Sequence, residues 1–246
     1  MVRVRVLAFG VLKDALRGGV AQMELPDGAT VADLLVEVAR RNPAVHLDGI
    51  AVGVNSEFAR AAHRLHDGDE VGLLPPVSGG ATPPLGSGRV DSSKSPVVIA
   101  LTRDVIDAGR LIADAKSGKD GAVVVLDGIV RDNSRGRQTL YLDYEAYEEM
   151  ALRQMRELAE GARTRFGVRH ITIVHRLGRL QIGETSVLII VSSAHRAQAY
   201  EASRLLIDTL KRTVPIWKKE TFVDGAVWVD GEPFPDQLGL EATDAS

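Results

Sequence analysis

Val2-Arg3-Val4-Arg5-Val6 alternates apolar and charged side chains with period two, the pattern of a strand with one buried face. After the turn residues Gly18-Gly19, Gln22 to Leu25 is expected to form a second strand. Thr30 followed three residues on by Asp33 is a variant capping box, and Val31, Leu34, Leu35 and Val38 then share one helical face until Pro43 stops the helix. Ile50 to Val54 and Glu70 to Leu74 read as strands, the second introduced by the turn Asp67-Gly68-Asp69. The pattern then breaks. Ala81 to Pro96 (ATPPLGSGRVDSSKSP) has no apolar period and the Gly, Pro and Ser content of a flexible linker.

Periodicity resumes at Val97. Leu101, Val105, Ile106 and Ile112 suit a helix after Thr102, and Ala122 to Val130 and Leu140 to Tyr144 suit strands. Glu148 to Phe166 has helical spacing. The β-branched runs His170 to His175 and Ser186 to Ser192 predict strands joined through Arg176 to Thr185. His195 to Thr213 predicts a long helix with Ala199, Ala202, Leu206 and Leu210 on one face, ended by Pro215. Lys218 to Val229 resembles a hairpin turning at Asp224-Gly225, and the tail after Pro235 is expected to be loose. Strands and helices mix without a βαβ rhythm, so the fold class is α+β. Strand, strand, helix, strand, strand within residues 1–80 is the order of a small β-grasp, ubiquitin-like domain. The expected organisation is therefore a domain at 1–80, a linker at 81–96, a second domain at 97–235 and a tail at 236–246.

The 246 residues are 45% hydrophobic with a net charge of −3, an ordinary globular composition that gives no warrant for a nucleic-acid partner. No apolar run is long enough for a membrane span, and Met1 leads straight into the first strand, so a cytoplasmic protein without a secretory signal is expected. The chain has no cysteine, which excludes disulfides, thiolate metal sites and a cysteine nucleophile or persulfide. Any sulfur chemistry must arrive on another group. The six histidines lack metal-ligand spacing, so neither a metal nor a cofactor is expected.

Candidate chemistry is cationic. Ser192-Ser193-Ala194-His195-Arg196 opens the long helix, one serine being the expected cap, and a helix start carrying His195 and Arg196 suits an anion; an ion pair of Arg196 with Glu201 is the alternative. Lys211 and Arg212 fall in the helix's last turn, where cations also serve the dipole. Lys218 and Lys219 begin a strand and must point to opposite faces, so one of them can face inward. Arg131 ends a strand and reaches a pocket unless Asp132 pairs with it. Together these groups suit a small anionic, phosphorylated substrate.

The ordered motifs resemble molybdopterin synthase with its small and large subunits in one chain. The small-subunit signature is Asp67-Gly68-Asp69-Glu70-Val71 with Pro75-Pro76-Val77-Ser78-Gly79-Gly80. The large-subunit motifs are Asp127-Gly128-Ile129-Val130-Arg131, Val174-His175-Arg176-Leu177-Gly178, Ser193-Ala194-His195-Arg196, and Leu210-Lys211 with Pro215-Ile216-Trp217-Lys218-Lys219-Glu220. The resemblance implies a β-grasp sulfur carrier and an α/β-hammerhead-like catalytic domain that pairs as a homodimer. It implies a thiocarboxylate on Gly80, made by an adenylating and sulfurating enzyme, whose sulfur passes to cyclic pyranopterin monophosphate. His195, Arg196 and Arg131 would bind the substrate, Lys211 and Lys218 would be catalytic, and Lys219 and Glu220 are weaker candidates. Because Ala81 follows Gly80, a processing protease is expected to cut there. A ubiquitin-like modifier precursor and a non-catalytic scaffold are the rival readings.

Overall fold

The computed structural model describes residues 1–15, 19–43, 45–77, 96–134 and 136–229. The first part is a sheet crossed by one helix. Its elements are β1 (Val2–Ala8), α1 (Val11–Ala15), β2 (Val20–Leu25), α2 (Val31–Arg41), β3 (Ala51–Val54), β4 (Glu57–Ala59) and β5 (Glu70–Leu74). The sheet order is β2-β1-β5-β3-β4, with β1 and β5 parallel and the other pairs antiparallel. The Thr30 side chain accepts from the Asp33 N–H while Asp33 accepts from the Thr30 backbone, so the capping box forms. Val31, Leu34 and Val38 of α2 are buried against Val4, Val6, Val52 and Val71. This is the ubiquitin-like arrangement that the pattern predicts.

The second part comprises β6 (Val97–Thr102), α3 (Ala108–Ala115), β7 (Ala122–Ile129), β8 (Asn133–Ser134), β9 (Arg137–Ala146), α4 (Glu148–Phe166), β10 (His170–Arg176), β11 (Gly178–Gln181), β12 (Thr185–Ser193), α5 (Arg196–Thr213), β13 (Ile216–Phe222) and β14 (Gly225–Trp228). One sheet has the order β6-β10-β12-β7, and another the order β11-β9-β13-β14 with β8 added on β9. Alternation along β12 builds two cores. Val187, Ile189 and Val191 pack with Ala151, Met155, Ala199 and Leu206 of α4 and α5, whereas Leu188 and Ile190 pack with Ile106 and Ala115 around α3. The expected helix after Thr102 begins only at Ala108, where the Asp107 side chain caps it by accepting from the Arg110 N–H, and Leu101 belongs instead to a strand paired in parallel with β10. The segment joining β10 to β12 also holds a short strand, β11, paired with β9.

A third apolar cluster joins the two parts. Phe9, Ala51, Leu74 and Val77 from the first meet Tyr147, Met150 and Trp217 from the second. The Phe9 ring stacks on Trp217 with centroids 5.0 Å apart and on Tyr147 at 5.1 Å. Trp217 Nε1–H donates to the Pro75 carbonyl at 2.9 Å, and Tyr147 Oη donates to Glu70 Oε1 at 2.8 Å. A Cβ at Gly72 would sit 3.0 Å from the Tyr147 ring, so glycine there lets the ring lie on the sheet. Ion pairs rim the cluster: Lys13 to Glu145, Arg153 to Glu57 and Lys219 to Asp14. Such solvent-facing pairs contribute little each, so the aromatic stack carries the contact.

Burial pushes the Tyr147 phenol up to about 12. A phenol that ionises later when folded stabilises the fold fully below its ordinary range near 10, and that contribution is lost as pH climbs toward 12. Tyr147→Phe is therefore expected to flatten the fall in stability between pH 10 and 12, measured by urea denaturation across that range, relative to the parent chain. An equal fall in both proteins would contradict this role.

Candidate active site

A cavity of about 460 Å³ lies where β7, β9, β12 and β13 meet the C-terminal end of α5. That size suits a small-molecule ligand. Three of the expected cations line it, each from a different part of the chain. Arg131 follows β7 at a point fixed by its neighbour, since Val130 N–H donates to the Glu184 carbonyl and Gly183 N–H to the Val130 carbonyl. Lys211 stands in the last turn of α5, which ends as Val214 N–H bonds the Leu210 carbonyl and Pro215 follows. Lys218 lies on β13 opposite Tyr144 of β9.

Strand alternation decides between the two neighbouring lysines. Lys218 faces the cavity with its Nζ 3.2 Å from Glu220 Oε1, two residues along the same face. Lys219 faces the other way, pairs with Asp14 and lies over the Trp228 ring. Asp132 does not neutralise Arg131: its carboxylate takes the Asn133 amide at 2.7 Å, and among the described residues Arg131 is in no ion pair. Three cations against the Glu220 carboxylate leave an excess of two positive charges around the cavity.

Apart from the Lys218–Glu220 pair, the buried groups that line the cavity are neutral. His175 is buried, its Nδ1 lies 2.9 Å from the Arg176 carbonyl, and desolvation pushes its pKa down to about 4. Nδ1 then carries the proton, leaving Nε2 as an acceptor. Tyr144 packs edge-on against His175 at 5.0 Å, and burial pushes its phenol up, so it too is neutral. Ser186 Oγ donates to the Gly128 carbonyl at 2.8 Å. Sequence reasoning gave no role to His175, Tyr144 or Thr139 in this cavity. The Lys218-to-Glu220 spacing of two on a strand was the one available signal for a buried partner.

His195 and Arg196 are elsewhere. His195, and neither serine, is the N-cap of α5; its own side chain makes no capping bond, and its N–H donates to Ser193 Oγ. Both residues are exposed, and no ion pair to Glu201 forms among the described residues. The helix axis separates them from Lys211 by about 22 Å at 1.5 Å per residue. One chain thus brings Arg131, Lys211 and Lys218 together but not His195 or Arg196. Gly80 lies outside the described residues, as do residues 81–95 of the expected linker and the tail at 236–246. Among the described residues no cluster of His, Asp and Glu could hold a metal, and no helix is long and apolar enough to cross a membrane.

Two family models match separate stretches: the ThiS family over residues 6–80 and the MoaE protein over residues 101–213. The molybdopterin synthase catalytic subunit of Oryza sativa subsp. indica is 39% identical over 141 residues, spanning 57% of this chain and 73% of the relative. The corresponding subunit of Pyrococcus abyssi is 37% identical, with 56% of this chain and 94% of the relative covered. The crystal structure of molybdopterin synthase from Staphylococcus aureus aligns with a TM-score of 0.51 at 37% identity, covering 56% of this chain and 98% of that one. The chain belongs to the molybdopterin synthase family. It is an enzyme of molybdenum cofactor biosynthesis that unites a ThiS-family domain with the synthase catalytic subunit. The two parts of the chain meet at the Phe9, Tyr147 and Trp217 cluster, and Trp217 is one residue before Lys218 of the cavity.

Gly128 of β7 packs tightly on β12: an added Cβ would stand 2.6 Å from Val187 Cγ1, a stiff branched side chain. Gly128→Ala is expected to destabilise the chain by about 1–3 kcal/mol through overpacking, read from urea denaturation. Unchanged stability would show that the strands part there without cost.

Proposed function

We propose that this chain builds the dithiolene of molybdopterin by moving sulfur from a thiocarboxylate at Gly80 to cyclic pyranopterin monophosphate. The observation that carries the reading is the convergence of Arg131, Lys211 and Lys218 on one cavity whose wall strand, β13, also grips the carrier half at Pro75. Val77 is buried in that contact, and the three residues onward to Gly80 can reach about 10 Å when extended. Gly79 and Gly80 carry no side chains to obstruct a narrow entry.

In each transfer the thiocarboxylate sulfur bonds to a substrate carbon as an oxygen leaves that carbon. Water then cleaves the acyl carbon–sulfur bond, returning Gly80 as a carboxylate and leaving sulfur on the substrate; two transfers complete the dithiolene. Negative charge develops on the departing oxygen and on the acyl oxygen during hydrolysis. Lys211 and Lys218 serve as general acid/base groups or stabilise that charge, and Arg131 helps to hold the phosphate. The sulfur arrives as an acyl species, in keeping with a chain that has no cysteine.

Gly80 is joined to Ala81, and a peptide carbonyl offers no carboxylate to adenylate. The reading therefore includes a protease that cuts after Gly80 and an adenylating, sulfurating enzyme that charges the new terminus, in a cytoplasmic setting. It also includes pairing of two chains, in which the exposed His195 and Arg196 of one complete the phosphate site of the other. This is supported by their exposure and by their distance from Lys211 in a single chain.

The test supplies the full chain with carrier thiocarboxylated at Gly80 and with cyclic pyranopterin monophosphate. Lys211→Ala and Lys218→Ala are each expected to slow molybdopterin formation about 100-fold or more while the variants remain folded. Turnover close to the parent rate in both variants would contradict the assignment and favour the modifier or scaffold reading.

A further inference from the structure

Two glycines and a serine in the carrier half stand where backbone preference alone would place other residues, and all three meet Tyr147. Gly53 of β3 and Gly72 of β5 pair directly across the sheet, and neither has the left-handed φ that calls for glycine. Glycine inside a strand weakens it, and often marks a close approach by another group. Here the approach comes from the catalytic half. An added Cβ at Gly72 would lie 3.0 Å from Tyr147 Cε1, and one at Gly53 would lie 3.5 Å from the same atom and 3.4 Å from Met150 Sδ.

The turn between β3 and β4 shows the opposite exchange. Asn55-Ser56 is a two-residue hairpin loop closed by the pair Val54 and Glu57, and both loop residues have positive φ, 48° and 65°. Asn-Gly is the favoured pair in such a turn, because a side chain at the second position is strained there. Asn55 is tied to β5: its N–H donates to the Glu70 carbonyl at 2.8 Å, and its side-chain oxygen accepts from the Glu70 N–H at 3.0 Å. Ser56 takes the position that suits glycine, is only 2% exposed, and donates its hydroxyl to Tyr147 Oη at 3.2 Å. Tyr147 Oη in turn donates to Glu70 Oε1, while Arg5 holds the other Glu70 oxygen at 2.9 Å.

Resting on the reading of residues 1–80 as the sulfur carrier, we propose that Gly53, Gly72 and Ser56 form a recognition socket for Tyr147 that selects the catalytic domain on which the carrier docks. The glycine pair leaves a flat floor for the ring, and Ser56 and Glu70 read its hydroxyl as acceptor and donor. The partner that fits is a synthase catalytic domain presenting a tyrosine just ahead of α4. A β-grasp carrier with side chains on that floor would lift the ring, and one with glycine at the turn would leave Tyr147 Oη one bond short. Specificity then comes from clashes against the wrong carrier as much as from contacts with the right one.

The test uses the full chain without substrate and reads opening of the contact from hydrogen exchange of the indole N–H groups by NMR. The chain has two tryptophans, and both indoles donate across the contact, Trp217 to the Pro75 carbonyl and Trp228 to Asp14 Oδ2. Gly72→Ala is expected to speed Trp217 indole exchange about tenfold or more, although alanine suits a strand better than glycine. Ser56→Gly relieves the turn yet is expected to speed that exchange about fivefold. In a Tyr147→Phe background, which keeps the ring and lacks the hydroxyl, Ser56→Gly should speed it no further. Equal acceleration by Ser56→Gly in both backgrounds would make the serine's role local to the turn and overturn the inference. Unchanged exchange in Ser56→Gly or in Gly72→Ala would overturn it too. The measurement involves no turnover, so each of these contrary results leaves the proposed sulfur transfer standing, which the Lys211 and Lys218 variants test separately.

Discussion

The Trp217 indole stacks on Phe9 and donates its N–H to the Pro75 carbonyl, and the next residue along β13 is Lys218. That single clamp ties Pro75 of the ThiS-family domain to the strand that carries a cavity cation. Strand alternation does the rest: with Trp217 turned to the carrier half, Lys218 must turn to the cavity and Lys219 back toward Asp14. β13 is held in register by antiparallel pairing with β9, which supplies Tyr144 and Thr139 to the same cavity. The aromatic contact and the cavity are two faces of one sheet.

The cavity's electrostatics follow from how its charges are distributed. Lys218 has a carboxylate within 3.2 Å, whereas Arg131 and Lys211 stand exposed and form no ion pair among the described residues. Burial keeps His175 and Tyr144 neutral, so no further charge opposes a phosphate at the mouth. Packing of α5 on the sheet fixes Lys211 relative to Lys218 on β13, and the two hydrogen bonds of Val130 hold Arg131 just beyond the end of β7.

Much of this was legible in the sequence wherever the determinant is local. The Thr30–Asp33 box, the β-branched runs of β10 and β12 and the long helices α4 and α5 each carry their own period and stop signal. β6 was not legible as a strand, because a six-residue apolar run fits a buried strand or a helix start and only pairing with β10 decides. α1 and β4 are too short to show a period. Arg131, Lys211 and Lys218 could be named from motifs, but the choice of Lys218 over Lys219 for the cavity needed the neighbouring Trp217 contact. The separation of His195 from Lys211 was implicit in the helix length, while Thr139 has no pattern of its own: its position on β9 beside the cavity is purely tertiary.

The central claim is that one chain holds a carrier and its synthase, with Gly80 as a latent terminus. The most direct measurement is the intact mass of the protein isolated from its own cells without reducing or acid treatment. The account predicts a fragment ending at Gly80, part of it heavier by the exchange of one oxygen for sulfur, together with a fragment beginning at Ala81. Only uncut chain, under conditions in which molybdopterin is being made, would contradict it.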